Sequence, residues 1–278
     1  MHAVELHIRQ SLSGIYSEAE IKGFTKIIFT EVFHLNMLDI YMGKDINLSP
    51  NQTAELDEIL ARLQKYEPIQ YIVGHERFYG MTFHVTPAVL IPRPETEELV
   101  SLIIKENSNY SPEILDIGTG SGCIAISLSK NLPQSKVSSW DISEEALLVA
   151  RKNNEALGTS VSFNQVNVLG YQPNGEVFDV IVSNPPYVTV AEQIDMELNV
   201  LNWEPSLALF VPDKDPLLFY RKIAELGLDM LTPNGKIYFE INQAYGKETA
   251  DLLLVLGYSD VEIIKDMSGR DRIVKALR

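Results

Sequence analysis

From residue 113 to its end, the chain predicts an α/β fold on a mostly parallel sheet, preceded by a smaller all-helical domain. Three observations carry this. Short apolar runs bounded by turn residues alternate with longer segments of helical period. A glycine loop, Gly118-Thr119-Gly120-Ser121-Gly122, joins one such run to a helix. Asn184-Pro185-Pro186-Tyr187 closes another, at the carboxyl end of a strand, where open α/β sheets hold their ligands.

The elements follow in order. Residues 1–73 read as helices, with Ile21, Phe24, Ile28 and Val32 at helical spacing. Ser49-Pro50-Asn51-Gln52 fits a capping box with proline at the first helical position. Leu56, Ile59, Leu60 and Leu63 then make one apolar stripe, read as core. His34 and His75 stand alone and read as structural. Phe78, Tyr79, Phe83 and Val85 around Gly80 suggest a hairpin between Glu76 and Thr86, and residues 74–90 read as a joint between domains. Arg93, fixed between Pro92 and Pro94, is either a surface turn or part of a site. A helix starting near Thr96 runs to about Asn107.

Glu113–Ile117 is a strand, and Cys123–Leu132 the helix after the glycine loop. Strand, loop and helix N-terminus make a nucleotide-like site, because backbone N–H groups face the ligand and glycines allow close approach. The glycines fall at the first, third and fifth places with Cys123 at the sixth, which departs from the dinucleotide fingerprint. A ligand without a diphosphate needs no more than this. Cys123 is the only cysteine, so there is no disulfide framework and no cysteine metal site; it reads as a small buried hydrophobe.

Val137–Trp140 is the second strand and ends in Asp141, where an acid holds the two hydroxyls of a ribose. Helix capping is the other reading of Asp141, but Ser143 ahead of Glu144-Glu145 can cap instead. A third strand, Val161–Val166, ends near Asn167, placed to meet an adenine amine. Downstream, Asp215 caps a helix opened by Pro216 and running to about Met230, with Leu217, Tyr220, Ile223, Leu226 and Met230 inward. Gly235–Ile241, Tyr258–Ile264 and Arg272–Leu277 are strands, and Ala244–Leu256 is a helix. Glu240 lies at a strand end on the same rim.

The strand Phe178–Val182 leads into the Asn-Pro-Pro-Tyr turn. Asn184 offers a side-chain carbonyl, and the prolines, lacking N–H groups, leave their carbonyls free to accept. Tyr187 offers a flat face. Two acceptors and an aromatic plate suit a planar –NH2, either an amide or an exocyclic amine. The bland alternative is an ordinary strand-ending turn. Net charge is −15 with no basic run, which argues against a nucleic-acid-binding face. The start lacks a basic-then-apolar leader and no run approaches a membrane span, so a soluble, cytoplasmic protein is expected.

Asp116-Ile117-Gly118-Thr119-Gly120-Ser121-Gly122 with Asp141 and Asn184-Pro185-Pro186-Tyr187 resembles a class I S-adenosylmethionine-dependent methyltransferase acting on a planar nitrogen. Pro68–Gly74, Leu90–Glu97, and Glu204-Pro205 with Leu207-Ala208-Leu209 extend the resemblance to the HemK/PrmC family over nearly the whole chain. The resemblance implies a Rossmann-like, mostly parallel seven-stranded sheet whose last strand inserts antiparallel. It divides the chain into a helical substrate-recognition domain (1–73), a hairpin linker (74–90) and a methyltransferase domain (91–278).

The implied reaction carries a methyl group from S-adenosylmethionine to the Gly-Gly-Gln glutamine of class I peptide chain release factors, leaving S-adenosylhomocysteine. Asn184, Pro185, Pro186 and Tyr187 would be catalytic. Gly118, Thr119, Gly120, Ser121, Gly122, Asp141, Asn167 and Asn184 would hold the cofactor. No metal, no direct nucleic-acid or membrane partner, and a monomer are expected. Two positions depart from the family pattern: Asn167 stands where an Asp is usual and Val168 where an aromatic is frequent. The alternatives are an N6-adenine nucleic-acid methyltransferase, which would need a basic groove, and a non-catalytic adenosylmethionine-binding scaffold, which would not need Asn184 with its two prolines.

Overall fold

A computed structural model describes residues 2–36, 38, 40, 42 and 47–278. The chain divides into two compact units, Met1–Gly74 with Glu197–Trp203, and His75–Met196 with Glu204–Arg278.

In the first unit, α1 (His2–Leu12), α2 (Glu18–Ile27) with a π-turn over Ile28–Val32, α3 (Pro50–Leu63) and α4 (Ile69–Val73) bury one face each. Ile8, Leu12, Ile21, Ile28, Phe29, Leu56, Leu60 and Leu63 form the core. Both long helices after the first start on capping boxes. Ser49 Oγ accepts from Gln52 N while Gln52 Oε1 accepts from Ser49 N, and Ser17 with Glu20 repeats the device. The sequence reading did not foresee that α8 (Leu198–Trp203) belongs here. Trp203 Nε1 donates to the Lys65 carbonyl at 3.0 Å.

The second unit opens with the hairpin β1 (His75–Phe78) and β2 (Met81–His84), antiparallel across Tyr79-Gly80. The elements α5 (Pro94–Asn107), β3 (Glu113–Ile117), α6 (Cys123–Asn131), β4 (Lys136–Asp141), α7 (Glu144–Leu157), β5 (Ser162–Gln165) and β6 (Phe178–Ser183) alternate as expected. Then come β7 (Val188–Thr189), the short α9 (Ser206–Leu209), β8 (Phe210–Val211), α10 (Leu218–Met230), β9 (Leu231–Glu240), α11 (Gly246–Leu256), β10 (Ser259–Lys265) and β11 (Asp271–Leu277). The main sheet has seven strands in the order β10-β11-β9-β6-β3-β4-β5. All pairs are parallel except those of β11, which inserts antiparallel between β9 and β10.

Side chains alternate across this sheet as the pleat requires. Ile114, Val180, Val182 and Tyr238 pack on one face with Leu99, Ile103, Ile124 and Leu128. Leu115, Ile181, Ile237 and Phe239 pack on the other with Tyr220, Ile223 and Met230. One expectation fails. Asp215 does not cap α10, which begins at Leu218 without a side-chain cap. Its carboxylate takes both Arg221 Nη atoms at 2.8 Å in a bidentate ion pair, and the Leu217 N–H, just ahead of the helix, also points to it. Among the described residues no helix is long and apolar enough to cross a membrane.

Candidate active site

The parallel strands β3, β4, β5, β6 and β9 end on one rim, so the residues after Ile117, Trp140, Gln165 and Ser183 converge there. A cavity of about 440 Å³ opens at this rim. Gly118, Thr119, Gly120, Ser121, Asp141, Asn167, Asn184, Pro185 and Pro186 line it. Gly122 and Tyr187 do not.

The loop after β3 is built on left-handed glycines. Gly118 and Gly120 have φ of 93° and 53°, a conformation that side chains disfavour. Gly118 and Thr119 donate their N–H groups to the Trp140 carbonyl, tying loop to β4. Asp141 braces the loop from the other side. Its Oδ2 accepts from Gly120 N and its Oδ1 from Ser143 N, both at 2.9 Å. Burial pushes its carboxyl up, and these N–H groups pull it partly back. Each oxygen keeps a lone pair for a ligand hydroxyl. Ser143 caps α7 through Ala146 N, so Asp141 is not needed for that end of the helix.

Below the loop, Ser139 Oγ bridges Thr119 Oγ1 (2.7 Å) and Asp116 Oδ2 (2.8 Å). Burial pushes the Asp116 carboxyl up to about 7, against the pull of Ser139. Gly122, expected from sequence to hold the cofactor, also has a packing task. A Cβ there would lie 2.8 Å from Ile126 Cδ1 and 3.2 Å from Ala150 Cβ, so this glycine lets α6 and α7 pack closely. Cys123 is half-buried and lines the cavity rather than sitting wholly in the core. Its burial pushes the thiol up to about 12, which keeps it neutral.

Asn167 heads a short 3-10 turn, its Oδ1 accepting from Leu169 N at 3.1 Å. Ile142, Val168 and Leu169 line the cavity beside it, so aliphatic chains stand where the family frequently has an aromatic. Two aromatics of the lining were not foreseen from sequence, Trp140 and Phe219. Trp140 stands nearer Asp141 in the chain, one residue before it, and packs on Tyr171 at 4.6 Å between ring centroids.

Opposite the glycine loop stands the Asn184–Tyr187 turn. Ser183 Oγ donates to the Ile117 carbonyl at 2.5 Å, locking β6 to β3. The two loops are neighbours: a Cβ on Gly118 would sit 3.5 Å from the Asn184 carbonyl oxygen, in ordinary van der Waals contact. Tyr187 turns under the rim instead of into the cavity. Its carbonyl accepts from Asn242 Nδ2 at 3.3 Å, and its hydroxyl lies 3.5 Å from Glu240 Oε1. Arg93 is not a bare surface turn: its guanidinium pairs with the buried Glu204, whose other oxygen accepts from Ile91 N at 3.3 Å. This staple joins two walls of the cavity, Pro87–Arg93 and Pro205–Ala208.

A glycine loop, a braced acid and an acceptor turn on the rim of a seven-stranded sheet with one antiparallel strand define a class I methyltransferase fold. A methyltransferase from Pyrococcus furiosus shares it, with a TM-score of 0.54 and 21% identity over 82% of this chain and 98% of that one. Residues 95–201 match the methyltransferase small domain and residues 7–74 the PrmC N-terminal domain. The whole chain is 57% identical, over 279 residues and 100% of both proteins, to the release factor glutamine methyltransferase of Bacteroides thetaiotaomicron. It is 47% identical to that of Flavobacterium psychrophilum, over 96% of this chain and 95% of the relative. The chain therefore belongs to the release factor glutamine methyltransferase family, HemK/PrmC.

Proposed function

We propose that this protein is a cytoplasmic, monomeric enzyme. It transfers a methyl group from S-adenosylmethionine to the side-chain nitrogen of the Gly-Gly-Gln glutamine in class I release factors. The observation that carries the reading is the sharing of one cavity by Asp141 and the Asn184-Pro185-Pro186 turn. The lining suits the cofactor. Asp141 offers oxygens to a diol, Gly118 and Gly120 offer close backbone approach, and Asn167 with Ile142, Val168 and Leu169 suits a flat base with a polar edge. Once bound, the cofactor supplies an electrophilic methyl on a sulfonium.

The chain's own residues prepare the nucleophile. An amide nitrogen is poor because its lone pair is delocalised. The Asn184 side-chain oxygen and the Pro185 carbonyl accept one N–H each, which pushes density onto nitrogen and aligns it with the methyl. The N-methylated, N-protonated amide is strongly acidic and loses its proton to water, so no general base is required. The first unit carries recognition of the release factor outside its Gly-Gly-Gln loop, where remote contacts add affinity.

The test is mass spectrometry of purified release factor after incubation with the full chain and methyl-labelled adenosylmethionine. Label is expected on the Gly-Gly-Gln glutamine. It should be absent when that residue is Asn, whose shorter arm leaves the amide about one carbon–carbon bond short. Label on adenine in RNA or DNA would overturn the reading. The net charge of −15 already weighs against that branch.

A further inference from the structure

A carboxylate lies buried directly beneath the transfer turn. Glu240, the last residue of β9, is 2% exposed. Ser183 pairs with Phe239 in the sheet, so Glu240 is the next residue on the neighbouring strand just as the Asn184 turn leaves β6. Its Oε2 accepts from Thr96 Oγ1 at 2.6 Å, and its Oε1 faces the Tyr187 hydroxyl at 3.5 Å. Burial pushes this carboxyl up, while Thr96 and the nearby Arg272 guanidinium hold it down. Burying a carboxylate is costly and worthwhile only where its oxygens are engaged.

The other end of the same residue is also held. Asn242, two positions beyond Glu240, donates to the Tyr187 carbonyl and to Glu192 Oε1 at 3.0 Å. Glu192 in turn accepts from Thr189 N and Oγ1, both at 2.7 Å. Tyr187 is thus held at its carbonyl by Asn242, and its hydroxyl faces Glu240 Oε1 at the outer limit of a hydrogen bond. Its ring packs on the sheet core rather than lining the cavity.

We propose that Glu240 is a positioning residue for methyl transfer, acting through Tyr187. With Thr96 behind it and Asn242 beside it, Glu240 anchors the tyrosine hydroxyl under the rim. That anchor sets the direction in which the Pro185 carbonyl and the Asn184 amide face the reacting nitrogen. Thr96 extends the support to α5 and itself lines the cavity, so helix, strand and turn move as one piece. The inference rests on the proposed reaction and assigns it a supporting group, with no new chemical step.

Tyr187→Phe is the decisive variant. It keeps the ring and its packing and removes only the hydroxyl. Were Tyr187 a stacking plate, this change would be close to silent. As an anchor, its loss should lower kcat on release factor by about 10-fold or more, since small misplacements in a reacting geometry are amplified. KM and the affinity for adenosylhomocysteine should stay within about threefold, because the groups that bind both remain. Glu240→Leu should fall to the same level, and the double variant no lower, since both remove one shared link.

Glu240→Gln keeps an oxygen for one hydroxyl and an N–H for the other, and should retain most of the turnover. Should Glu240→Leu fail to fold, Tyr187→Phe and Glu240→Gln still decide. Wild-type turnover in Tyr187→Phe overturns the inference, as do independent, multiplying losses in the double variant. A wild-type enzyme that labels no release factor would instead sink the proposed function, so the two failures are distinguishable.

Discussion

Replacing Gly122 by alanine separates packing from ligand binding within one loop. The added Cβ meets Ile126 Cδ1 at 2.8 Å and Ala150 Cβ at 3.2 Å, both in tightly packed helices. Overpacking of this kind costs about 1–3 kcal/mol. The backbone there has φ of 83°, and a side chain in that region adds about 1–2 kcal/mol. Together these predict a loss of roughly 2–5 kcal/mol, which lowers the unfolding temperature by several degrees or more. Gly120 is the control. It shares the left-handed backbone, but its Cβ would meet nothing within 4 Å. Gly120→Ala should therefore lose only the backbone component of stability, while its methyl projects from a residue that lines the cavity.

Differential scanning calorimetry and titration with adenosylhomocysteine read the two effects. Gly122→Ala should be the less stable protein and Gly120→Ala the weaker binder at a temperature where both are folded. Wild-type stability in Gly122→Ala combined with a tenfold loss of ligand affinity would refute the packing account and return Gly122 to the cofactor.

Three further outcomes are expected. Asn184→Ala removes an acceptor needed most in the transition state, so kcat should fall by about 100-fold in steady-state assays while adenosylhomocysteine affinity changes little. Asp116 keeps its proton to about pH 7 when folded, but only to about pH 4 when unfolded. The folded state therefore binds more protons between those values, and stability falls as pH rises through them. Asp116→Asn should flatten that part of the urea-midpoint profile, and parallel profiles would refute it. In the Arg93–Glu204 pair the arginine side chain is 35% exposed and the glutamate 1%. Arg93→Ala strands a buried carboxylate at a cost of roughly 3 kcal/mol or more. Glu204→Ala leaves a cation that water can reach and should cost less, about 1–3 kcal/mol by denaturant unfolding.

What the sequence made legible is local. The Ser49 and Gln52 capping box, the glycine loop and the strand ending at Asp141 are each specified by neighbours within a few positions. Their sequence signals are local, although the folded glycine loop is then braced by Asp141, 21 positions from Gly120. What it hid is held by distant partners. Glu204 meets Arg93 across 111 positions, and Glu240 meets Tyr187 across 53. Nothing near Glu240 in the sequence distinguishes it from a solvated strand end. Tyr187 shows the same limit: an aromatic after two prolines suggests an open face, and the partners of its hydroxyl and carbonyl, Glu240 and Asn242, lie more than fifty positions away. Gly122 was absorbed into a motif whose spacing resembles a ligand loop, although its neighbours on α6 and α7 are what forbid a side chain.

The strand order explains why two halves of one reaction meet. The chain starts at β3, runs outward through β4 to β5, then returns across β3 to lay down β6 on its other side. Such a reversal leaves a crevice at the carboxyl ends of the strands beside it. The loop of β3 cannot be covered there, because the connections leave in opposite directions. Everything fixed by β4 and β5, Asp141 and Asn167, falls on one side of the crevice. The acceptor turn of β6 falls on the other. Ser183 bonded to the Ile117 carbonyl, and the Asn184 carbonyl only 3.5 Å from where a Gly118 Cβ would lie, set the width between them. An added Cβ at 118 would meet that carbonyl in ordinary van der Waals contact, so the cost of a side chain there lies in the backbone, whose φ is 93°. Under the proposed reaction, the pairing of Ile117 with Ser183 places the glycine loop and the Asn184 turn side by side before any substrate arrives.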